Sequence, residues 1–252
     1  LPDAHSEAPA AVSAMLSGAL LNMAFLGIMR FHTLMISAGY GGYAQTMLLI
    51  MGFLSMFVSA VFIIRVTNYK RMLAYSSIEN MGIVAIGLGI GGPGIFAALL
   101  HVVAHSLSKA SFFLTSGNIL RTYKSREIKG VRGIIGRDTI TGWLWVACFA
   151  ALAGMPPFPI FLSEFLLVRA MFAEGAYPLA VVFFLLVLII VYGMGNTVVR
   201  MTFGTGEPSA RAQRPAVLTW VPQLVFLVIL VMLGIGLGSF NFDLIEKAAS
   251  FF

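Results

Sequence analysis

Five ionisable side chains stand inside long apolar stretches of this 252-residue sequence: Glu79, His101, His105, Lys109 and Glu164. A charged side chain at the centre of a bilayer costs about 2.5–3.5 kcal/mol or more, so such residues in a membrane segment usually have a function. Histidine exchanges protons near neutral pH, and carboxyl and amino groups do so when their surroundings bring the two protonation states close in energy. These residue types therefore indicate proton transfer inside a membrane.

Three of the five share one helical face. His101, His105 and Lys109 follow one another at four-residue intervals, which places them in a row about 12 Å long on an α-helix. The same segment carries the hydroxyl residues Ser106, Ser108, Ser111, Thr115 and Ser116. Imidazoles, hydroxyls and an ammonium, with water between them, can relay protons. The alternative is that these groups only join helices by hydrogen bonds.

A His-x-x-x-His pair can also bind a metal ion or haem. No cysteine or carboxylate that could complete such a site lies nearby, and the remaining histidines are His5 and His32. The single cysteine, Cys148, stands in an apolar run and can form no disulfide within the chain. No flavin, iron–sulfur or nickel ligand pattern is present. We therefore expect no metal and no cofactor in this chain.

Glu164 follows an interruption of the apolar segment 139–173. The interruption reads Gly154-Met155-Pro156-Pro157-Phe158-Pro159. Because proline breaks helices, this segment forms either two short membrane crossings or one broken crossing, and broken membrane helices often hold ion sites near the midplane. Pro156, Pro157 and Pro159 thus mark a broken helix, with Glu164 as its proton site. The alternative role for Glu164 is to cap the resumed half-helix.

Glu79 lies about two turns into another apolar segment, in the run Ser76-Ser77-Ile78-Glu79-Asn80-Met81-Gly82. It could take up protons from the cytoplasmic side. It could equally form an ion pair with Lys70 or Arg71 at the level of the lipid headgroups. The sequence leaves both roles open.

Composition requires a membrane around these residues. Hydrophobic residues make up 59% of the chain and charged residues 10%, whereas soluble domains have roughly a quarter of their residues charged. One membrane crossing needs about 20 apolar residues. Segments of that kind are 11–31, 44–66, 72–91, 95–120, 178–200 and 216–240, together with the interrupted 139–173. We predict an all-α, polytopic membrane bundle of about seven helices, with residues 1–240 as the membrane domain and 241–252 as a tail.

The basic residues determine the predicted topology. Twelve of the sixteen lie in three joints between segments: Arg65, Lys70 and Arg71; Arg121, Lys124, Arg126, Lys129, Arg132 and Arg137; and Arg200, Arg211 and Arg214. Cytoplasmic loops concentrate Lys and Arg, and all three joints share one side only if 139–173 crosses once. We therefore predict seven crossings, the fifth of them broken, with residues 1–10 cytoplasmic and the C-terminus outside. The net charge of +6 could also suggest nucleic acid, but no aromatic-basic pattern supports such a partner.

An ordered set of motifs carries a family resemblance. It consists of Leu1-Pro2-Asp3-Ala4-His5-Ser6-Glu7-Ala8-Pro9, Lys70-Arg71-Met72-Leu73-Ala74-Tyr75-Ser76-Ser77, His105-Ser106-Leu107-Ser108-Lys109-Ala110 and Gly154-Met155-Pro156-Pro157. With these motifs the chain resembles the antiporter-like membrane subunits of respiratory complex I, of Mrp cation/proton antiporters and of membrane-bound hydrogenases. The run from Ser77 to Gly82 looks most like component F of the hydrogenase-4 and formate hydrogenlyase branch.

The resemblance implies a fold and a mechanism. Family members have 14 spans in two inverted five-helix repeats, and this chain is similar to the second half, from span 8 to span 14. Glu164 then falls at the family's ionisable site in the broken helix, and His101, His105 and Lys109 fall on its central relay helix. The resemblance also implies partners: other membrane subunits, and a hydrophilic redox arm whose chemistry drives proton movement across the inner (cytoplasmic) membrane.

Two departures from the family pattern affect these expectations. The complex I branch has a lysine on span 8 where this sequence has Asn22, which cannot carry a proton and can provide at most a water-bridged link. The family's first repeat would precede Leu1, and we expect that it is either missing from this chain or supplied by another polypeptide. Three functions therefore stay open: an ion-translocating subunit of a redox complex, a stand-alone cation/proton antiporter subunit, and a structural membrane anchor that pumps nothing.

Overall fold

The computed structural model describes residues 1–205, 217–236 and 239–252, and within these ranges the chain is built of helices. Its only β-type pairing in the described ranges is an isolated bridge between Asn68 and Glu127. The helices are α1 (Pro2–Glu7), α2 (Ala10–Met15), α3 (Leu21–Ser37), α4 (Gly41–Ile63), α5 (Tyr69–Ile90), α6 (Pro93–Tyr123), α7 (Ile134–Arg137), α8 (Thr139–Leu152), α9 (Pro159–Ala173), α10 (Tyr177–Phe203), α11 (Val221–Gly234) and α12 (Ser239–Ala249).

In the described ranges, five continuous helices are long and apolar enough to cross a membrane. They are Ala10–Ser37, α4, α5, α6 and α10, and the first of them joins α2 to α3 through a π-helical turn at Leu16–Leu20. The helices α8 and α11 are apolar but shorter. The predicted all-α, polytopic membrane bundle is confirmed. The predicted seventh span is shorter than 216–240 in the described residues, because α11 ends at Gly234 and the separate helix α12 begins at Ser239.

Several basic segments meet at one end of the bundle. Arg71 at the start of α5 forms an ion pair with Asp3, and Arg126 after α6 forms one with Glu7. The backbone N–H of Ile128 donates to the carbonyl of Thr67 at 2.8 Å, which ties the loop after α6 to the loop before α5. Residues 1–9, 65–71, 121–137 and 200–205 are together called the basic end below.

The third basic joint lies at this same end. A Cβ atom placed on Gly204, just after α10, would lie 3.7 Å from the Cβ of Arg132, just before α7 and α8. The chain between these two residues therefore leaves the basic end and returns to it. Since α10 makes the return, α8 and α9 together cross once, as the charge pattern predicts. Arg211 and Arg214 of the same joint lie outside the described residues.

The break in this crossing lies between Leu152 and Pro159. Gly154 adopts φ +62°, a left-handed conformation that strongly favours glycine. The Pro156–Pro157 bond is cis. α11 packs against the break so closely that a Cβ on Gly234 would overlap the carbonyl oxygen of Pro157. The predicted interruption of the helix is thus present, and both halves pack against α6.

Close approach of small residues holds α4 against α5. A Cβ on Gly52 would lie 2.6 Å from Cγ1 of Ile86 and 2.8 Å from the carbonyl oxygen of Gly82. A Cβ on Gly82 would lie 2.7 Å from the carbonyl oxygen of Gly52. In membranes, where lipid competes for apolar surface, such glycine contacts let helices associate through backbone packing. This contact fixes the position of α5, which carries Glu79.

We expect Gly52→Ala to lower the stability of the bundle in detergent by about 1–3 kcal/mol, because the added methyl group overpacks the α4–α5 contact. The matched control is Gly27→Ala, since a Cβ on Gly27 in α3 meets no atom within 4 Å. Thermal unfolding of both variants measures the difference. Equal unfolding temperatures would contradict this account of the α4–α5 contact.

Candidate functional site

Lys109 lies at the centre of the candidate site, fully buried on α6. Its Nζ donates to the carbonyl oxygen of Leu73 at 2.7 Å and to the hydroxyl of Ser76, both on α5. Nζ also lies 6.0 Å from the centre of the Phe113 ring. Within the described part of the chain, the only ion pairs shorter than 4.0 Å are the two at the basic end. Neutral oxygens, not a carboxylate, therefore hold this ammonium.

His101 bridges α6 to α5 and α9. Its Nε2 lies 3.0 Å from Oδ1 of Asn80, and its Nδ1 lies 2.9 Å from Oγ of Ser163. Because the Asn80 amide nitrogen donates to the Ser76 carbonyl at 2.6 Å, Oδ1 is the acceptor, and Nε2 carries a hydrogen.

The Ser163 hydroxyl gives His101 two satisfied protonation states. It lies within hydrogen-bond distance of both His101 Nδ1 and the Ile160 carbonyl oxygen, at 2.8 Å from the latter. When the imidazole is neutral, the hydroxyl donates to Nδ1. When the imidazole is protonated, Nδ1–H donates to the Ser163 hydroxyl. The hydroxyl then rotates and donates its own hydrogen to the Ile160 carbonyl oxygen. One hydroxyl rotation therefore accommodates gain or loss of a proton.

Glu79 is buried and adjoins this network through Asn80, whose Nδ2 lies 3.4 Å from Oε2 of Glu79. The carboxylate interacts electrostatically with Lys109 without contacting it. The headgroup alternative is wrong, because Arg71 pairs with Asp3 and Nζ of Lys70 donates to the carbonyl oxygen of Ala8. Sequence reasoning identified Glu79 but missed Ser76 and Asn80, whose role depends on how α5 faces α6.

His105 lies one turn from both Lys109 and His101 and is fully buried. In the described residues neither of its ring nitrogens has a hydrogen-bond partner. Buried polar atoms of this kind are normally satisfied by ordered water. Direct hydrogen bonds therefore link Lys109 to α5 and His101 to α5 and α9, whereas transfer through His105 requires water.

Glu164 lies on α9, partly buried, with its carboxylate against the break. A Cβ on Gly154 would lie 3.2 Å from Cδ of Glu164, so the glycine provides the space for this carboxylate. Glu164 does not cap α9, since the helix begins after Phe158 without a side-chain cap, five residues ahead of Glu164. It stands next to Ser163, the partner of His101, and its charge interacts with that of Glu79.

Asn22 contacts α6 directly. Its Nδ2 donates to the Gly18 carbonyl oxygen at 2.8 Å and to the Ser106 hydroxyl. Its buried Oδ1 has no partner in the described residues. One turn earlier, the hydroxyls of Ser17 and Ser77 lie 2.9 Å apart and join the π-helical turn to α5.

His5 is a titratable candidate residue that sequence reasoning also missed. The side chain is fully buried beneath α1 and stacks on Phe113 with ring centres 5.3 Å apart. Burial, followed by the charge of Lys109, lowers its pKa to about 4. The only signal for its role was its place in a proline-bounded polar motif ahead of the first span. The structure thus extends the row of titratable groups from Lys109 towards the basic end.

No group of three or more His, Cys, Asp and Glu side chains that could hold a metal ion occurs in the described ranges. The pair His101 and His105 is not completed to a ligand set there, and both nitrogens of His101 are engaged with Asn80 and Ser163. The imidazole, ammonium, carboxylate and hydroxyl groups gathered at this site are types of group that can exchange protons.

Comparison with known proteins decides the family. The model of the NADH:quinone oxidoreductase/Mrp antiporter transmembrane family matches residues 1–190. This chain belongs to that family. The resemblance read from the sequence motifs is thereby confirmed.

Two curated relatives of this antiporter family illustrate the range of similarity. A hydrogenase-4 component F homolog from Methylacidiphilum infernorum (isolate V4) is 40% identical over 176 residues, which are 69% of this chain and 37% of the relative. An NAD(P)H-quinone oxidoreductase chain 4 from Prochlorococcus marinus (strain MIT 9312) is 33% identical over 180 residues, or 71% of this chain and 34% of the relative. The matched region thus spans little more than a third of either relative.

Solved structures of similar fold come from three membrane assemblies. A chain of the Mrp complex from Dietzia sp. DQ12-45-1b has a TM-score of 0.88 at 19% identity, and a chain of an archaeal membrane-bound sulfane sulfur reductase has 0.89 at 23%. Respiratory complex I from Thermus thermophilus gives 0.84 at 25%. Each match covers 99% of this chain. It covers 55% of the matched chain in the Mrp complex, 50% in the sulfane sulfur reductase and 54% in respiratory complex I. The first two likenesses establish the fold alone.

The pKa of His5 predicts that α1, which packs on α6 through the stack of His5 on Phe113, is held less firmly there in acid. Docked His5 remains neutral down to about pH 4, whereas an exposed histidine takes up a proton near 6.5. Docking is therefore complete above pH 6.5 and weakens as the pH falls from 6.5 towards 4. We expect hydrogen exchange of the α1 amides, corrected for intrinsic rates, to be faster at pH 5 than at pH 7.5.

His5→Phe keeps the ring stack on Phe113 and removes the titration, so this difference should disappear in that variant. His32→Phe is the matched control, because His32 is also buried but lies in α3. Exchange that depends on pH equally in all three proteins would refute the role of His5 in docking.

Proposed function

We propose that this chain is a proton-translocating membrane subunit of a redox-driven complex related to respiratory complex I and membrane-bound hydrogenases. The observation that carries the proposal is the buried row of Lys109, His105 and His101, with the carboxylates Glu79 and Glu164 beside it. Such groups are costly in a membrane, and the hydrogen bonds of His101 suit two protonation states. Family membership and the similarity to a hydrogenase-4 component F homolog support this proposal.

In the proposed pathway, protons enter at the basic end and pass beneath α1, by His5, to Lys109. Lys109 exchanges a proton with His105 through water, and His105 exchanges one with His101 in the same way. His101 then passes the proton towards the Ser163 side, where Glu164 lies against the break. Asn22 and Ser106 border this pathway as a neutral, hydrogen-bonded link.

Electrostatic interactions connect Glu79 with two groups of the proposed pathway. Glu79 attracts a proton on Lys109 and repels negative charge on Glu164. When Lys109 loses its proton, Glu79 loses a nearby cation, and uptake of a proton by Glu79 becomes more favourable. Loss or gain of a proton at Lys109 thus changes the proton affinity of Glu79, which lies beside the proposed pathway.

The proposal includes partners and a location. The relatives' names and the multi-subunit assemblies of similar fold support other membrane subunits and a hydrophilic redox arm as partners. We place the chain in the inner (cytoplasmic) membrane with residues 1–10 on the cytoplasmic side, because the basic end gathers Lys and Arg. Residues 1–240 would form the second half of the family's unit, with the first half supplied by the same or a separate polypeptide.

Replacing Glu164 tests the pathway. In liposomes containing the assembled complex, Glu164→Gln should lower redox-driven acidification by at least about tenfold, since a proton-transfer group typically contributes a hundredfold or more. Glu174→Gln is the matched control, because Glu174 is exposed in the turn that follows α9. Full acidification by the Glu164 variant would remove this residue from the pathway.

Two other functions can be told apart from the proposed one by experiment. The fold shared with a chain of the Mrp complex favours a stand-alone antiporter, and sodium-dependent proton exchange without an electron donor would establish it. The neutral Asn22 favours a structural anchor that pumps nothing. Wild-type coupling in the double variant Lys109→Ala with Glu164→Ala would establish that role.

A further inference from the structure

An apolar groove of about 600 Å³ lies between α8 and α11. Side chains within 139–147 and 220–232 form its two walls, and Phe158 of the break lies at its inner end. Trp143 and Val228 in these walls are 57% and 49% exposed, so the groove opens to the surroundings of the bundle. In a membrane these surroundings are lipid or a neighbouring subunit.

The groove runs from the basic end to the break. Thr139, at its mouth, is the first residue of α8, and Trp220, also at the mouth, directly precedes α11. The wall on α11 is about 18 Å long and the wall on α8 about 12 Å, at 1.5 Å per residue. Half of the hydrocarbon core of a bilayer is about 15 Å thick. The groove therefore spans one leaflet, the one at the basic end.

The inner part of the groove contains only apolar side chains. They are Phe158, Leu227, Val228, Val231 and Met232, which offer hydrocarbon surface and one thioether. Water finds no hydrogen-bond partner among such side chains, and a ligand with a polar group at its inner end would leave that group unpaired. The lining suits a hydrocarbon chain whose polar end lies at the mouth.

The width of the groove distinguishes an acyl chain from a helix. A volume of about 600 Å³ along walls of about 15 Å gives a mean cross-section of about 40 Å². A helix with its side chains is about 10–12 Å across and needs about 80 Å² or more. The groove is therefore too narrow for the body of a helix from a neighbouring subunit, whereas extended acyl chains fit into it.

Positive charge lies at the mouth. Arg137 is two residues ahead of Thr139, and its guanidinium lies over the Tyr123 ring, 4.7 Å from the centre. Both α8 and α11 begin here, and neither has an acidic residue in its first turn, so the positive ends of their dipoles face the mouth. The nearby carboxylate of Asp138 is buried and accepts hydrogen bonds from the backbone and hydroxyl of Thr141. Basic pockets between membrane helices on the cytoplasmic side bind anionic headgroups.

We propose that this groove binds an anionic phospholipid from the leaflet at the basic end, with its phosphate beside Arg137 and its acyl chain along α8 and α11. The inner end of the chain rests on Phe158 and Met232. Phe158 follows Pro157, whose carbonyl oxygen faces Gly234 where α11 packs against the break. The lipid thus contacts both sides of that packing and holds the break against α11. Its binding does not depend on the proposed proton translocation.

Photoreactive lipids identify the occupant. The assembled complex is placed in lipid nanodiscs with phosphatidylglycerol or phosphatidylcholine that carries a diazirine in the middle of one acyl chain, and adducts are located by peptide mass spectrometry. We expect adducts within 139–158 and 217–236 to be about fivefold more abundant with phosphatidylglycerol, the preference that one basic residue near a membrane surface gives an anionic lipid.

Two pairs of variants test the walls and the mouth separately. Ala147→Phe fills the groove and should remove the adducts, whereas Val181→Phe, on an exposed position of α10, should leave them. Arg137→Gln should remove the preference for phosphatidylglycerol, whereas Arg65→Gln, exposed elsewhere at the basic end, should preserve it. Equal adducts from both lipids in the wild type would overturn the recognition of an anionic headgroup. Adducts that are absent from both segments, as they would be if a neighbouring subunit filled the groove, or that persist in Ala147→Phe, would overturn the site.

Hydrogen exchange tests whether the lipid holds the break. Amides within 153–162 should exchange severalfold more slowly in phosphatidylglycerol nanodiscs than in phosphatidylcholine nanodiscs, and this difference should disappear in Ala147→Phe. Exchange that is equal in both lipids in the wild type would refute the bracing of the break. If Glu164→Gln pumps normally while the adducts form as expected, the proposed function fails and the lipid site stands.

Discussion

The architecture depends on the burial of one ammonium group without a carboxylate in contact. Lys109 is fully buried, and it donates to a backbone carbonyl and a hydroxyl of α5. Burying a charge in this way is tolerable only if polar groups replace the lost water. A contacting carboxylate would stabilise the charged form and hold the proton in place. The neutral acceptors on α5 support this charge, and Glu79 influences it electrostatically without contacting it.

The position of α5 follows from this requirement. The acceptors of Lys109 and the partner of His101 all belong to α5, so a small shift of that helix would break both contacts. Gly52 and Gly82 bring α4 against α5 at backbone distance, and this contact restrains the shift. The glycine packing and the hydrogen bonds of Lys109 and His101 are therefore linked through α5, although no ionisable residue takes part in the glycine contact.

The sequence predicted two kinds of site residue: those that repeat with helical periodicity, and ionisable residues whose burial in a membrane costs free energy. A four-residue repeat placed His101, His105 and Lys109 on one face, and prolines located the break near Glu164. Charge placement predicted a single crossing for 139–173, in agreement with Gly204 lying beside Arg132. Residue spacing and prolines are local signals, and charge placement is a sum over each joint. All three can therefore be read without knowledge of the fold.

Other residues of the site could not be predicted in this way. Asn80 and Ser163 are ordinary polar residues until α5 and α9 meet at His101. His5 stands ahead of the first span, and its burial depends on two ion pairs and the Lys70 contact that hold α1 in place. Such roles arise from tertiary contacts between residues far apart in sequence, which no pattern within one segment records.

Ser163 and Glu164 connect the break with the row of titratable groups on α6. These neighbours on α9 face different partners: the hydroxyl binds His101, and the carboxylate lies against Gly154 in the break. Gly154 has φ +62°, which strongly favours glycine, and the Glu164 carboxylate occupies the space that a methyl group at this position would need. A change of protonation at His101 reorients the Ser163 hydroxyl next to Glu164. Two adjacent side chains of α9 thus lie between the unwound segment and the imidazole, and the space that Glu164 occupies exists because residue 154 is a glycine in a left-handed conformation.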